Sequence, residues 1–115
     1  MKMDLYHQPF MAIKDGTKKI EVRLNDEKRS QLRVGDEIEF TDLDTAATIR
    51  VEVLALEKFS TFKELFAKYS GKIIGSPDDE SITDLNQENQ KIYSKIREEK
   101  YGALAIRIQL LGGYH

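Results

Sequence analysis

The chain has 115 residues, of which 40% are apolar and 33% charged, and this predicts one globular domain around a single hydrophobic core. The formal net charge of −2 excludes the broad basic surface typical of nonspecific nucleic-acid binding, so any nucleic-acid contact must be local. There is no cysteine and the histidines are His7 and His115, so we expect neither disulfides nor a bound metal. Because no apolar stretch approaches the ~18 residues that span a bilayer and no signal-peptide pattern is present, we expect a cytoplasmic protein that does not contact membranes.

The first predicted elements are a short helix and a charged strand. Residues 9–16 have proline in the first turn and glycine at the end, which is typical of a helix. Residues 18–24 alternate with period 2 and predict a half-buried strand. Its two faces carry Ile20, Val22 and Leu24 on one side, and Lys19, Glu21 and Arg23 on the other. Lys18 shares the parity of the apolar face, so on a regular strand its ammonium would lie at the mouth of that face.

Two more strands are predicted in the next part of the chain. Residues 25–30 form a polar connection or one helical turn, and a Val-Gly-Asp turn leads into a strand at 37–40. A hairpin at 42–45 then leads to a long strand at about 48–56. One side of this strand carries Ile49, Val51, Val53 and Ala55.

Helices are predicted between this strand and the last one. A capping box at 61–64 opens a helix whose apolar stripe we expect in the core, namely Phe62, Leu65, Phe66 and Tyr69. Residues 71–80, rich in glycine and carboxylates, are expected to form an exposed, mobile loop. A second capping box at Ser81 and Asp84 opens a helix to about residue 99, with a stripe of Leu85, Ile92, Tyr93 and Ile96. Residues 103–110 form the last strand.

This order of elements predicts an α+β fold in a single domain over residues 1–111, with a frayed tail at 112–115. Strands near both ends and helices between them are typical of a small, mostly antiparallel β-barrel with helices packed outside.

Three segments in this order resemble the ASCH domain, the activating-signal-cointegrator homology domain. They are Gly16-x-Lys18-x-x-Glu21-x-Arg23, Leu32-x-Val34-Gly35-Asp36-x-Ile38-x-Phe40, and Tyr101-Gly102-Ala103-Leu104-Ala105-Ile106. The resemblance spans nearly the whole chain. It implies a PUA-like β-barrel with a cleft beside the first segment, in a family associated with RNA binding and RNA metabolism.

One branch of that family, the small bacterial N4-acetylcytidine amidohydrolases, is also similar to this chain. Its members use a lysine, a threonine three residues later, and a glutamate in the loop before the last helix. The resemblance places these roles on Lys18, Glu21 and Asp78. Because Glu21 occupies the threonine position and a carboxylate can replace a hydroxyl nucleophile only with different chemistry, this difference favours binding or a changed reaction.

Three functions therefore remain open. In the first, Lys18, Glu21 and Arg23 line a cleft that takes one nucleotide of RNA or a nucleoside, with Tyr93 and Tyr101 as further ligand contacts. In the second, the cleft hydrolyses a modified cytidine or RNA, with Lys18 and Glu21 as an acid/base pair and Asp78 in support; no cofactor is expected. In the third, the acidic chain is a protein-interaction domain. In each case the simpler alternative for Glu21 and Arg23 is a solvated surface ion pair.

Overall fold

A five-stranded curled sheet organises the protein. The structure, a computed structural model, describes residues 1–112. In chain order the elements are β1 (Lys2–Leu5), α1 (His7–Lys14), β2 (Ile20–Leu24), β3 (Glu37–Asp42), β4 (Thr48–Phe59), α2 (Phe62–Lys68), α3 (Ile82–Gln90), α4 (Lys95–Tyr101) and β5 (Ala103–Leu110), with 3₁₀ helices at Arg29–Gln31 and Gly71–Ile74. Apart from Gly112, the tail predicted to fray at 112–115 lies outside the described residues.

The strand order in the sheet is β1-β3-β4-β5-β2. Strands β1 and β3 pair in parallel, and the other three pairings are antiparallel. The predicted α+β class with a mostly antiparallel sheet and flanking helices is therefore confirmed, although the sheet forms a half-barrel whose edges are β1 and β2. Strand β1, in which Met3 and Leu5 are buried, was absent from the predicted elements.

Hydrophobic residues cover both faces of the sheet. One cluster packs α1 against β1, β3, β4 and β5, with Phe10, Ile13, Phe40 and Ile106 among its buried residues. The other packs α2 and α3 against β2 and the start of β5, and it contains the predicted stripe residues Phe62, Leu65 and Phe66.

The long helix predicted up to residue 99 is wrong, because the segment forms two helices. The amides of Ile92 and Tyr93 bond to the carbonyl oxygen of Asn89 where α3 ends, and Ser94 then caps α4 by accepting from the amide of Arg97. Ile92 and Ile96 are consequently 65% and 79% exposed, so they do not belong to a buried stripe.

Strand β4 carries an irregularity that the alternation pattern did not predict. Its register against β5 shifts between Val53 and Ala55. A bulge reverses the face that the following side chains occupy. Val51 and Val53 are therefore buried as predicted, but Ala55 is exposed and Leu56 packs against the core instead.

Candidate functional site

Three charged side chains meet at the start of β2. Lys18 Nζ lies 2.8 Å from Glu21 Oε1, and Arg23 Nε lies 2.6 Å from Glu21 Oε2. The side chains of Lys18 and Glu21 are only 5% and 4% exposed. We refer to Lys18, Glu21 and Arg23 as the charged triad. The alternative of a solvated surface pair is wrong, because the shared carboxylate is buried.

The triad forms because β2 begins at Ile20, so that Lys18 precedes the regular strand. The amide of Lys18 bonds to the carbonyl of Ala12, and the amide of Lys19 bonds to that of Ile73. On a regular strand, Lys18 and Glu21 would point to opposite faces, because they are three residues apart. These backbone hydrogen bonds turn the chain before β2, so that the Lys18 side chain reaches Glu21. The Lys18 ammonium thus lies out of bulk solvent beside Ile74 of the second core cluster, as its parity with the apolar face predicted, and it also reaches Glu21.

The 3₁₀ helix at Gly71–Ile74 forms one side of the site. The carbonyl oxygen of Ile74 accepts a second hydrogen bond from Lys18 Nζ at 2.9 Å. Gly71 and Ile74 are buried, so this part of the segment predicted as an exposed loop is packed against β2 instead. Gly75 follows with φ of +85°, and a Cβ there would lie 2.9 Å from Lys18 Cδ. The tight approach of this segment fixes the lysine side chain.

The charges of the triad support one another. Burial alone would raise the pKa of the Glu21 carboxyl, but the ammonium of Lys18 and the guanidinium of Arg23 outweigh it and hold that pKa below its usual value. Burial likewise opposes the charge of Arg23, yet the Glu21 carboxylate raises the pKa of the guanidinium. Glu21 and Arg23 are therefore both ionised at neutral pH.

A cleft with a volume of about 390 Å³ opens above the triad. Its walls come from β1 and the start of α1, from β2, from the segment after the 3₁₀ helix, and from α3. The cleft lining includes Asp4, Tyr6, Pro9, Leu43, Ser76, Glu88, Asn89 and Tyr93, together with the triad.

The structure brings four of the six predicted site residues together. Tyr93 lines the cleft with the triad, and its ring stacks on Phe62 at a centroid distance of 5.2 Å. Tyr101 instead packs against the second core cluster, with Lys100 Nζ 5.0 Å from its ring centroid. Asp78 lies outside the cleft lining: its side chain is 67% exposed and accepts a hydrogen bond from the amide of Lys72.

Other lining residues were not singled out from the sequence. Asp4 belongs to the unpredicted strand β1, which the alternation of Met3 and Leu5 could have indicated. Glu88 and Asn89 lie three and four residues after the buried Leu85, so helical spacing places all three on one side of α3. The predicted helix ran on to about residue 99, whereas α3 ends at Gln90, so that Glu88 and Asn89 lie in its last turn.

Within residues 1–112, one group of side chains has the spacing of a metal site. Ligand atoms of His7, Asp42 and Asp44 all lie within 4.8 Å of one another. However, Asp42 Oδ2 is bonded to His7 Nδ1, and Asp42 Oδ1 accepts from the amide of Asp44. Both oxygens of the buried carboxylate therefore have protein partners already. In the same range of residues, no helix has the length and apolar character needed to cross a membrane.

A curled half-barrel with flanking helices and a cleft between its edge strands defines a PUA-like fold. The family model of the ASCH domain matches residues 3–112, so the chain belongs to the ASCH domain family, as the three motifs indicated. This family is generally RNA-binding or hydrolase-like. No protein of curated function gives a significant match to the chain.

Solved structures agree with this assignment. The hypothetical protein PH0355 is 35% identical, with a TM-score of 0.78, and the alignment covers 96% of this chain and 100% of that one. Protein PF0455 from Pyrococcus furiosus is 34% identical, with a TM-score of 0.72 and coverage of 96% and 98%. A mutant of ZmASCH from Zymomonas mobilis shares the fold at 14% identity, with a TM-score of 0.67 and coverage of 94% and 66%.

Proposed function

We propose that this protein binds a nucleoside, free or as one nucleotide of RNA, with its base against the charged triad. The observation that carries the proposal is the buried triad at the floor of a cleft of about 390 Å³. That volume lies within the range of roughly 300–1,000 Å³ typical of small-molecule sites. The general association of the family with RNA supports the same ligand class.

The triad has hydrogen-bonding capacity left for a ligand. An ammonium has three N–H donors, and Lys18 uses two of them on Glu21 and Ile74. Arg23 uses Nε on Glu21 and Nη2 on the carbonyl of Asp4, so further guanidinium N–H groups have no partner among the described residues. Each Glu21 oxygen can accept one more bond. Donors beside an acceptor match the edge of a nucleobase, which presents carbonyl oxygens next to N–H groups.

The charges of the cleft favour a neutral base at its floor over a phosphate. Glu21 offsets one of the two positive charges of the triad, and the walls add the carboxylates of Asp4 and Glu88, so that three carboxylates face two cations. A phosphate at the floor would meet these three carboxylates in a partly desolvated space. The sugar–phosphate part of a bound nucleotide is therefore expected to point out of the cleft.

Recognition fits the triad better than acid–base catalysis does. A general base is most effective when its pKa lies near the working pH. The two cations hold the pKa of Glu21 below its usual value, which makes this carboxylate a weak base. Asp78, to which the hydrolase alternative gives a supporting role, lies outside the cleft lining, and this also favours recognition.

Calorimetric titration with cytidine, N4-acetylcytidine, uridine, adenosine, guanosine and a short single-stranded RNA tests the proposal. We expect at least one of these probes to bind the wild type. Lys18→Met and the nearly isosteric Glu21→Gln should each lower its affinity about tenfold or more, because a hydrogen bond to a charged group contributes roughly 1.5–3 kcal/mol.

The matched control is Lys72→Ala, which removes an exposed lysine from the adjacent segment outside the cleft lining. Its affinity should equal that of the wild type, and circular dichroism must show that each variant is folded. Binding of none of the probes, or equal binding by all variants, would overturn the proposal. Product analysis after incubation with N4-acetylcytidine reports separately on hydrolysis.

A further inference from the structure

The mouth of the cleft carries exposed apolar side chains, whereas its floor is charged and buried. The large apolar residues of the lining with the greatest exposed fractions are Tyr6 at 70%, Ile92 at 65% and Leu43 at 54%. The side chains of Lys18 and Glu21 at the floor are almost fully buried. Exposed apolar residues that gather at one cleft are typical of a surface that contacts a ligand. We refer to Tyr6, Leu43 and Ile92 as the apolar rim.

The backbone that carries Tyr6 is fixed by hydrogen bonds. Tyr6 is the N-cap residue of α1, and its carbonyl oxygen accepts from the amide of Phe10, whose side chain is buried. The amide of Leu43 bonds to the carbonyl oxygen of Leu5, the residue directly before Tyr6. Two members of the apolar rim therefore lie side by side on one wall of the cleft.

Helix capping and core packing do not account for the side chain of Tyr6. N-cap residues are most often Ser, Thr, Asp or Asn, whose side chains accept bonds from the first helical amides. The Tyr6 side chain makes no such bond, and it is too exposed to fill the core. Within residues 1–112 its ring also has no aromatic neighbour. A residue that departs from a local folding preference without a structural gain is a candidate for function.

Tyr6 lies on the wall that contacts the charged triad. Arg23 Nη2 donates to the carbonyl oxygen of Asp4 at 2.8 Å, and Tyr6 follows Asp4 by two residues, which span at most ~7 Å. The cleft volume of about 390 Å³ is near the lower end of the roughly 300–1,000 Å³ typical of small-molecule sites, so it has room for one nucleoside but not for two. A neighbouring nucleotide of the same RNA would therefore lie at the mouth, beside the apolar rim.

We propose that the ligand is a nucleotide within single-stranded RNA, and that the exposed ring of Tyr6 stacks on the base next to the one held by the charged triad. The inference rests on the proposed function and selects RNA over a free nucleoside. An aromatic ring can stack on any nucleobase, because every base has a π face. A base also fits the apolar rim better than a protein does, since each side of a stable protein interface contributes roughly 20–30 residues and the rim has three.

Calorimetric titration with pairs of matched trinucleotides tests this role. One ligand of each pair is ApXpA, where X is cytidine, N4-acetylcytidine, uridine or guanosine, and the other carries abasic residues in place of both adenosines. The phosphates are the same in both ligands, so the ratio of the two affinities measures what the flanking bases add. For at least one X, the wild type should bind ApXpA about tenfold more tightly than its abasic partner.

Three variants show whether Tyr6 is responsible for this ratio. Tyr6→Ala removes the ring and should bind both ligands of a pair with equal affinity. Tyr6→Phe keeps the ring and should retain the wild-type ratio, because stacking does not need the hydroxyl. Met11→Ala is the matched control, since it truncates an exposed apolar side chain of α1 outside the cleft lining, and it should also retain the ratio. Thermal unfolding shows whether each variant is folded.

The outcomes separate this inference from the proposed function. If the wild type binds a nucleoside but gains nothing from the flanking adenines, the stacking role of Tyr6 is overturned and the proposed function stands. The same conclusion follows if Tyr6→Ala keeps the wild-type ratio or Tyr6→Phe loses it. If the wild type binds neither the nucleosides nor the trinucleotides, both proposals are overturned.

Discussion

Arg23 Nη2 donates a hydrogen bond to the carbonyl oxygen of Asp4 at 2.8 Å, and this bond joins β2 and β1, the two edge strands of the sheet. The same guanidinium donates from Nε to Glu21 Oε2 at 2.6 Å. Arg23 therefore couples the buried carboxylate of the triad to the opposite wall of the cleft. The fixed fork of a guanidinium suits this double role, since its donors point in two directions at once.

Arg23→Lys tests this double role. A lysine keeps the positive charge, but its single nitrogen cannot reproduce the separated donors of the guanidinium. We expect nucleoside affinity to fall about tenfold, and the melting temperature to fall by several degrees, as for the loss of roughly 1–2 kcal/mol in a domain of this size. Calorimetry and thermal unfolding measure the two effects. A variant with wild-type affinity and melting temperature would show that charge alone suffices at this position.

A double-mutant cycle on Lys18 and Glu21 measures how strongly the buried pair is coupled. Lys18→Met leaves the buried Glu21 with one cation instead of two, so we expect about 3 kcal/mol of destabilisation. The double variant Lys18→Met/Glu21→Gln removes the unbalanced charge and should lose less stability than the sum of the single variants. Denaturant unfolding at neutral pH gives the free energies. If the loss of unfolding free energy in the double variant equals the sum of the losses in the two single variants, Lys18 and Glu21 are not coupled.

Acidification should weaken the folded state through Glu21. The pKa of this carboxyl is lower in the folded protein than its ordinary value of 4.5, so the unfolded chain takes up its proton first as the pH falls. The stabilisation by the ionised group is complete well above pH 4.5 and is lost progressively below it, down through the folded-state pKa. The difference in unfolding free energy between the wild type and Glu21→Gln should therefore narrow on acidification. If the unfolding free energies of the wild type and of Glu21→Gln change in parallel with pH, Glu21 is not ionised in the folded protein.

Gly75→Ala should disturb the triad from outside it. A Cβ at Gly75 would lie 2.9 Å from Lys18 Cδ and 3.4 Å from its Nζ. We expect weaker nucleoside binding, because the lysine must move, in addition to about 1 kcal/mol of backbone strain. Gly16→Ala is the matched control: its φ is +90°, close to the +85° of Gly75, but no atom lies within 4 Å of the added carbon. The Gly16→Ala variant should lose a similar free energy of unfolding but bind the nucleoside with wild-type affinity. An equal loss of nucleoside affinity in both variants would contradict an effect transmitted through the contact with Lys18.

The sequence predicted the class of fold and the centre of the candidate site, because both depend on local patterns. Strict alternation marked β2 and β3, and the capping box at Thr61 marked α2 at its observed start. Lys18, Glu21 and Arg23 are close in the chain, so short-range spacing was enough to bring them together as candidates.

Features that depend on tertiary contacts were not predictable in the same way. Burial of Glu21 requires the segment around Ile74, which is more than fifty residues away and supplies the carbonyl that holds Lys18. His7 and Asp42 are 35 residues apart and meet only because β1 pairs in parallel with β3, ending beside it. Sequence spacing alone also could not show that Asp78 bonds to the backbone of Lys72 instead of facing the cleft.

NMR titration of the isotope-labelled protein with N4-acetylcytidine, the other nucleosides and the short RNA tests whether a nucleobase contacts the charged triad. We predict that the largest shifts occur at the side-chain signals of Lys18 Nζ and Arg23 Nε and at the amides around Asp4 and Tyr93, with little change at Lys72. Shifts confined to surfaces away from the cleft, or no shifts with any ligand, would show that no nucleobase binds against the triad.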